Sequence, residues 1–538
     1  MRAQMTTPKR IGILTILTVL GLGTELHAAT SVVCSAAFGA KFNLEPDTPA
    51  VPQQLEAVDF IPNRIGLNED LVVGGAYDFR GAGLGAPAPS GVVWDGSVSG
   101  YYVHRSTATD CSAQFEGGLP SIVSAGTTYL GNGGVAIAAD PQRSAFFVAD
   151  LRFGATNNVS AVGLFRAASA TLLNSTLCPN GTHTAAQAQS CWEATPAIVL
   201  NPNPPGSLTA TLDFPSLAVD ERASNAGPGA SDVYVAFENY NVTAGGITLI
   251  ACTNATLSCS TPIIISNTSP EFGSVDAHVQ VRPDGRITVT YVDQNSPPSS
   301  TIRFVLCKPS GAPSAPVCSA PTVVANENQA LGPSSAGGSL SGLNLPVFTA
   351  ARHADRPESD GKTVTTFVVW DRCETMFQNP STGSFSTCLN AQVDMSASTD
   401  GGATWSAPVA VNTSPGHQFF PWISTDVSTG TVNIVYYNTA PDFFHKRIAV
   451  SLNQIVAGST TVGAPISVTS SPAPWDADPT QNPFALGFDF HFGMKARGTG
   501  TAGQSRVYTS FTSAADRRGV YNGPHLPEQN NNLQELKY

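Results

Sequence analysis

A two-strand unit recurs along this chain, and it restricts the possible folds more than any other feature. Its first strand tends to end in Asp followed by a turn. Its second strand is β-branched and aromatic and ends in a polar cluster. Clear copies are FPSLAVDERASNAGPGASDVYVAFENY (214–240), DAHVQVRPDGRITVTYVDQ (276–294) and FFPWISTDVSTGTVNIVYYN (419–438), and GGVAIAADPQRSAFFVADLRF (133–153) fits too. Looser copies occupy 54–80, 345–372 and 488–513. The seven copies are spaced by roughly 60–80 residues, longer than most single-blade repeats.

Most copies are followed by two further strand-like runs, such as GITLIACTN and TPIIIS after 214–240. Four strands per unit, repeated about seven times, predict an all-β fold: a β-propeller of about seven four-stranded blades, with six as the runner-up. A chain of 538 residues would otherwise suggest three or four domains, and a single sandwich is too small for it. Composition agrees. Only 12% of residues are charged, with 49 Gly and 40 Pro, which is too apolar for disorder and too poor in Glu and Lys for a helical protein. The net charge is −12 with no basic run, which argues against a nucleic-acid partner.

The N-terminus reads as an export signal. Lys9 and Arg10 precede an apolar run from Ile11 to Leu22, and small residues follow near Ala28 and Ala29. The run is short for a membrane span; the alternative is an N-terminal anchor. No second run of spanning length follows, so the mature protein is expected to be soluble, secreted or periplasmic, and a monomer. The resulting division is a signal peptide (1–28), an N-terminal segment (29–52), the propeller (53–515) and a polar, peripheral tail (516–538). Ten cysteines fit an oxidising compartment. Sequential couples predict Cys178–Cys191, Cys252–Cys259, Cys307–Cys318 and Cys373–Cys388. Cys34 and Cys111 remain to tie the N-terminus to an early strand. No C-x-x-C pair exists, so disulfides rank above a zinc site, and no metal or cofactor is expected. The last repeat lacks clear outer strands, which the segment near Cys34 could supply.

In the fifth unit two strands are joined by STDGGATW. Asp400 can accept backbone N–H bonds, Ser398 and Thr404 add hydroxyls, and Gly401 and Gly402 permit positive φ. Ser398, Asp400, Gly402, Thr404 and Trp405 match Ser-x-Asp-x-Gly-x-Thr-Trp. The stretch resembles the Asp-box, or bacterial neuraminidase repeat, of sialidases and related β-propellers. The resemblance covers roughly 50–515 and implies a sialidase-like propeller in which this turn is structural. It also implies a functional site on the opposite face.

That opposite mouth should gather the residues that follow second strands and precede first strands. These are Tyr77, Asp78 and Arg80; Asp150 and Arg152; Glu238 and Tyr240; Asp293; Asp371 and Arg372; Tyr437 and Asn438; Asp213, Asp276, His278, Gln418, Asp489 and His491. Sialidases hold a substrate carboxylate with three arginines, and use a tyrosine nucleophile, a glutamate helper and an aspartate acid/base. By loop position the candidates are Arg80, Arg152 and Arg372, with Asp78 or Asp150 as acid/base, Glu238 as helper and Tyr437 as nucleophile. The Phe/Tyr-Arg-Ile-Pro motif of sialidases is absent. Two functions therefore stand. One is a secreted sialidase-like protein that recognises a glycan or glycoprotein and hydrolyses terminal glycosidic bonds. The alternative is a non-catalytic carbohydrate- or protein-binding propeller in which each Asp-x-Arg is a local ion pair.

Overall fold

The structure is a computed structural model. It describes residues 31–37, 53–62, 69–78, 99–106, 111–154, 160–174, 176–178, 190–193, 197–200, 212–223, 225–240, 246–266, 273–295, 299–328, 339–340, 350–378, 380–381, 385–445, 447–469, 473–474, 493–498, 505–513 and 530–537. The expected signal peptide, Arg80, Asp489 and His491 lie outside these residues, as do the side chains of Tyr77 and Asp78.

Strand pairing gives seven small antiparallel sheets, each built on one copy of the repeat. Blade 1 runs Gln53–Ile61, Asp70–Asp78, Ser99–Ser106, Cys111–Gly118. Blade 2 runs Ala136–Asp140, Ala145–Gly154, Ser160–Ala168, Ala197–Leu200. Blade 3 runs Leu212–Val219, Val233–Asn239, Gly246–Cys252, Ile263–Ile264. Blade 4 has Ser274–Val281, Ile287–Gln294 and Ser299–Lys308, with Val317–Cys318 and Thr322–Asn328 sharing the outer edge. Blade 5 has Ala351–Pro357, Val364–Gln378, Phe385–Ser398 and Val409–Ala410. Blade 6 has Gln418–Asp426, Thr431–Asn438, Arg447–Ile455 and Ile466–Ser467. Blade 7 has Gly493–Gly498, Ser505–Ser513 and Asn530–Lys537, and Ser31–Ala37 is its outermost strand.

Each first strand touches those of the blades before and after it, and blade 7 touches blade 1, so the ring is closed. The fold is a seven-bladed β-propeller. The N-terminal segment completes the last blade, pairing Ser31 with Lys537 through Ala37 with Asn532. The C-terminal stretch differs from the expected peripheral tail. Asn530–Lys537 is the third strand of blade 7, and Leu536 is buried in the core between blades 6 and 7. Its run NNNLQEL has two apolar residues in seven, so hydrophobic patterning alone hides it.

Second strands are apolar on both faces rather than alternating, because a blade is packed on both sides. Val233, Val235 and Phe237 face the core shared with blade 2, and Tyr234 and Ala236 face blade 4. Seven such cores fill the seven interfaces.

Among the described residues the first strands have no sheet partner on their inner edge, which leaves N–H groups to be satisfied. Side chains from the preceding blade do this. Asp59 accepts from Ala139 N–H at 2.9 Å, Ser216 from Val279 at 3.0 Å, His278 from His353 at 3.2 Å, and Ser424 from Ala496 at 3.0 Å. At the far end of these strands Arg497 of blade 7 reaches both Asp59 of blade 1, at 2.9 Å, and Glu221 beyond blade 3, at 2.5 Å. This ion-paired group links blade 7 to blade 1 and to the turn after the first strand of blade 3.

The four expected sequential disulfides are formed, which fits an oxidising compartment. Cys34 and Cys111 sit on strands that contact one another, with side chains outside those described. Among the described residues no helix is long and apolar enough to cross a membrane.

Candidate functional site

Strand direction sorts the loops. First strands run away from the mouth, so first-to-second and third-to-fourth turns lie on the far face. Second-to-third loops lie at the mouth.

The Ser398–Trp405 turn is on the far face, between the third and fourth strands of blade 5. Asp400 accepts Ser398 Oγ–H at 2.8 Å, Thr404 N–H at 2.9 Å and Thr404 Oγ1–H at 2.6 Å. These bonds, Thr404 foremost, hold its carboxyl down to about 2. Gly402 has φ 88°, and a Cβ there would meet the Phe304 ring at 2.3 Å. Trp405 packs edge-on to Phe304 of blade 4, with centroids 5.2 Å apart. The turn therefore clamps blade 5 to blade 4.

At the mouth, the first residues of the inner strands meet the ends of the second strands of neighbouring blades. The entry into several first strands is kinked by a left-handed residue, Phe214 at φ 43°, Asp276 at φ 57° and Phe420 at φ 51°. A register shift accompanies each. The kink turns Asp276 toward blades 3 and 5. Its N–H donates to Glu238 Oε1 at 2.6 Å, and its Oδ2 accepts Ala351 N–H at 2.9 Å and the Arg352 guanidinium. Glu238 Oε2 accepts the Tyr240 hydroxyl at 2.5 Å. Burial, and then the charges of Asp213 and Asp276, push the Glu238 carboxyl up to about 8 against those two hydrogen bonds. Burial pushes Asp371 up to about 7 although it accepts Ala350 N–H at 3.0 Å. Burial, followed by the charge and hydrogen bond of Glu238, raises the Tyr240 phenol. Tyr240 is 40% exposed while its hydroxyl reaches inward to Glu238.

Beside this group the Arg352 guanidinium lies over the Trp422 ring, 4.7 Å from its centroid. His278 meets Trp422 and His353 edge-on, at 5.2 and 4.9 Å. Burial lowers both histidines, His353 to about 3, which keeps them neutral. Among the described residues no group of three or more His, Cys, Asp or Glu is arranged to hold a metal ion.

The candidates named from sequence divide. Glu238 stands at the centre of the cluster. Arg152 and Asp150 are fully buried and paired with each other at 2.7 Å, and Arg152 also donates to the carbonyls of Pro120 and Tyr129. Arg372 pairs with Asp394 at 2.6 Å within its own blade. Tyr437 is buried between blades 6 and 7, its ring stacked 5.7 Å from Phe419. Tyr436 faces the other interface and donates to Asn453 at 2.7 Å. The structure does not bring Arg152, Arg372 and Tyr437 to one site. The tyrosine next to Glu238 is Tyr240. Arg352 and His353 were not singled out from sequence. Their signal was two cationic-type residues opening a first strand that is otherwise built for a core.

No protein-family model matches the chain, and no curated protein matches it. Among solved structures it is similar to a Hadza microbial sialidase, at 10% identity and TM-score 0.38, over 94% of this chain and 93% of that one. It is also similar to a leech intramolecular trans-sialidase, at 9% identity and TM-score 0.37, over 94% and 93%. A third is the six-bladed fucose-recognising lectin of Aleuria aurantia, at 9% identity and TM-score 0.36, over 79% and 100%. The fold itself rests on the strand order and the ring of contacts given above.

Proposed function

We propose that this chain is an exported, monomeric glycan-recognising propeller that hydrolyses a terminal glycosidic bond at its mouth. The observation that carries the reading is the Tyr240–Glu238 pair at 2.5 Å, with Glu238 pushed up to about 8. A partly exposed phenol ring stacks on a sugar face. A glutamate of near-neutral pKa is matched to proton transfer at neutral pH. In the ionised form of Glu238, the Tyr240 proton passes to Glu238 Oε2 as Tyr240 Oη attacks the anomeric carbon, the glycosidic C–O bond breaks, and the departing oxygen takes a proton from the Asp371 carboxyl. Water then attacks the anomeric carbon and gives its proton to the Asp371 carboxylate, while the bond to Tyr240 Oη breaks and Glu238 returns its proton to the departing tyrosine oxygen.

The test is sugar release from a mixed panel of sialylated and neutral glycans, followed by mass spectrometry. A free monosaccharide is expected. Glu238→Gln and Tyr240→Phe should each lower its rate by about a hundredfold or more, as loss of a proton-transfer partner does. Release that survives both substitutions would remove this site from the reaction. No release from any glycan, at high enzyme and long times, would leave the second reading, a non-catalytic binding propeller. One observation favours that reading. Arg152 and Arg372 are committed to ion pairs in blades 2 and 5, so they offer no open pair of forks for a substrate carboxylate.

A further inference from the structure

We propose that the loop Thr439–His445 of blade 6 docks the mouth face onto an anionic lipid bilayer. Phe443 and Phe444 stand at its tip, 87% and 74% exposed, the two most exposed large apolar residues among those described. Their rings touch only edge-on, with centroids 5.2 Å apart. An isolated exposed Phe needs no explanation, but two adjacent ones at a loop tip form a surface that water solvates poorly.

The loop is built to hold them out. Asp442 N–H donates to the Thr439 carbonyl at 3.1 Å, and His445 N–H to the Asp442 carbonyl at 2.9 Å. The Asp442 carboxylate accepts Arg447 N–H at 3.1 Å, and the His445 ring meets the Thr439 carbonyl at 3.1 Å. A fixed tip keeps its apolar residues from folding back onto the protein, so insertion costs little ordering.

Charge decides what lies beneath. The chain carries a net charge of −12, yet Phe443-Phe444 is followed directly by His445, Lys446 and Arg447. Lys446–Arg447 is the sole pair of consecutive basic residues between Ile11 and Asp516. Aromatic residues followed in sequence by cations match an interface where acyl chains lie below anionic head groups. The neighbouring hairpin of blade 5 adds Phe377 and Leu389, 44% and 45% exposed, on the same face.

The experiment is co-sedimentation of the purified protein with phosphatidylcholine vesicles, with and without phosphatidylglycerol and free of glycolipid. Binding to the anionic vesicles is expected, weakening as salt is raised. Phe443→Ser with Phe444→Ser should weaken it about tenfold or more, the scale of one buried aromatic side chain. Both positions are exposed, so thermal unfolding should not change. Tryptophan emission from Phe443→Trp should shift to the blue on anionic vesicles only. A protein that stays in the supernatant, a double variant that sediments as well as the parent, or a Phe443→Trp signal that does not shift would each overturn the proposal. Because the vesicles carry no sugar, the result is independent of the glycosidase assay.

Discussion

Glu238 shows how one residue is set by three neighbours and by its burial. Two hydrogen bonds, from Asp276 N–H and Tyr240 O–H, favour its charged form, while burial and the Asp213 and Asp276 carboxylates oppose it. Opposition wins, and the consequence for stability has a definite sign. The folded carboxyl titrates near 8 and the unfolded one near 4.5, so the unfolded chain gives up its proton first as pH rises. Glu238 therefore favours the folded state fully below about pH 4.5 and loses that contribution as pH climbs toward 8. Thermal unfolding measured from pH 5 to pH 8 should show the parent losing more stability than Glu238→Gln, which cannot titrate. Equal slopes would mean that Glu238 is ionised in the fold. The sequence made Glu238 legible as the polar end of a second strand. It could not separate Tyr240 from Tyr437. Both follow apolar runs, and only the blade geometry shows that Tyr437 turns into a core while Tyr240 lies past its strand's last residue.

At the scale of the strand, the repeat was legible because each second strand must be apolar on two faces and each first strand must end in a polar turn. Seven such couples could hardly be read otherwise. What the pattern concealed is how the inner edge is finished. Ser216 and Ser424 are unremarkable in sequence, and His278 stands out there only as a mouth residue; the inner-edge role of all three exists only once a neighbouring blade is beside them. The same holds for Arg152 and Arg372, whose strand-end positions resemble functional ones but whose partners close local ion pairs. The buried Ser424 provides a clean test. Ser424→Ala leaves the Ala496 N–H without its acceptor, a loss of about 1–3 kcal/mol. Urea unfolding should show a lower midpoint with little change in slope. A variant as stable as the parent would mean that this N–H finds another acceptor.

At the scale of the molecule, the ring is held at one seam by chain ends. Ser31–Ala37 pairs with Asn530–Lys537. Side chains reinforce the seam: Arg506 meets Asp70 at 2.6 Å, Tyr508 donates to Asp70 at 2.9 Å, and Ser106 donates to Glu535 at 2.6 Å. Deleting Asn530–Lys537 removes the partner of the N-terminal strand and the carboxylate that Ser106 bonds. The shortened protein should unfold earlier and expose blade 7 to protease first, with the remaining blades cut later. Uniform resistance would show that the ring is closed by its cores alone. There is also an order in time. Each inner-edge acceptor, from Asp59 to Ser424, belongs to a lower-numbered blade than the N–H it receives. A chain growing from its N-terminus therefore makes each acceptor before the group that needs it. The seam alone breaks this sequence: the strand at 31–37 must wait, with an open edge, until the last strand of the ring has emerged.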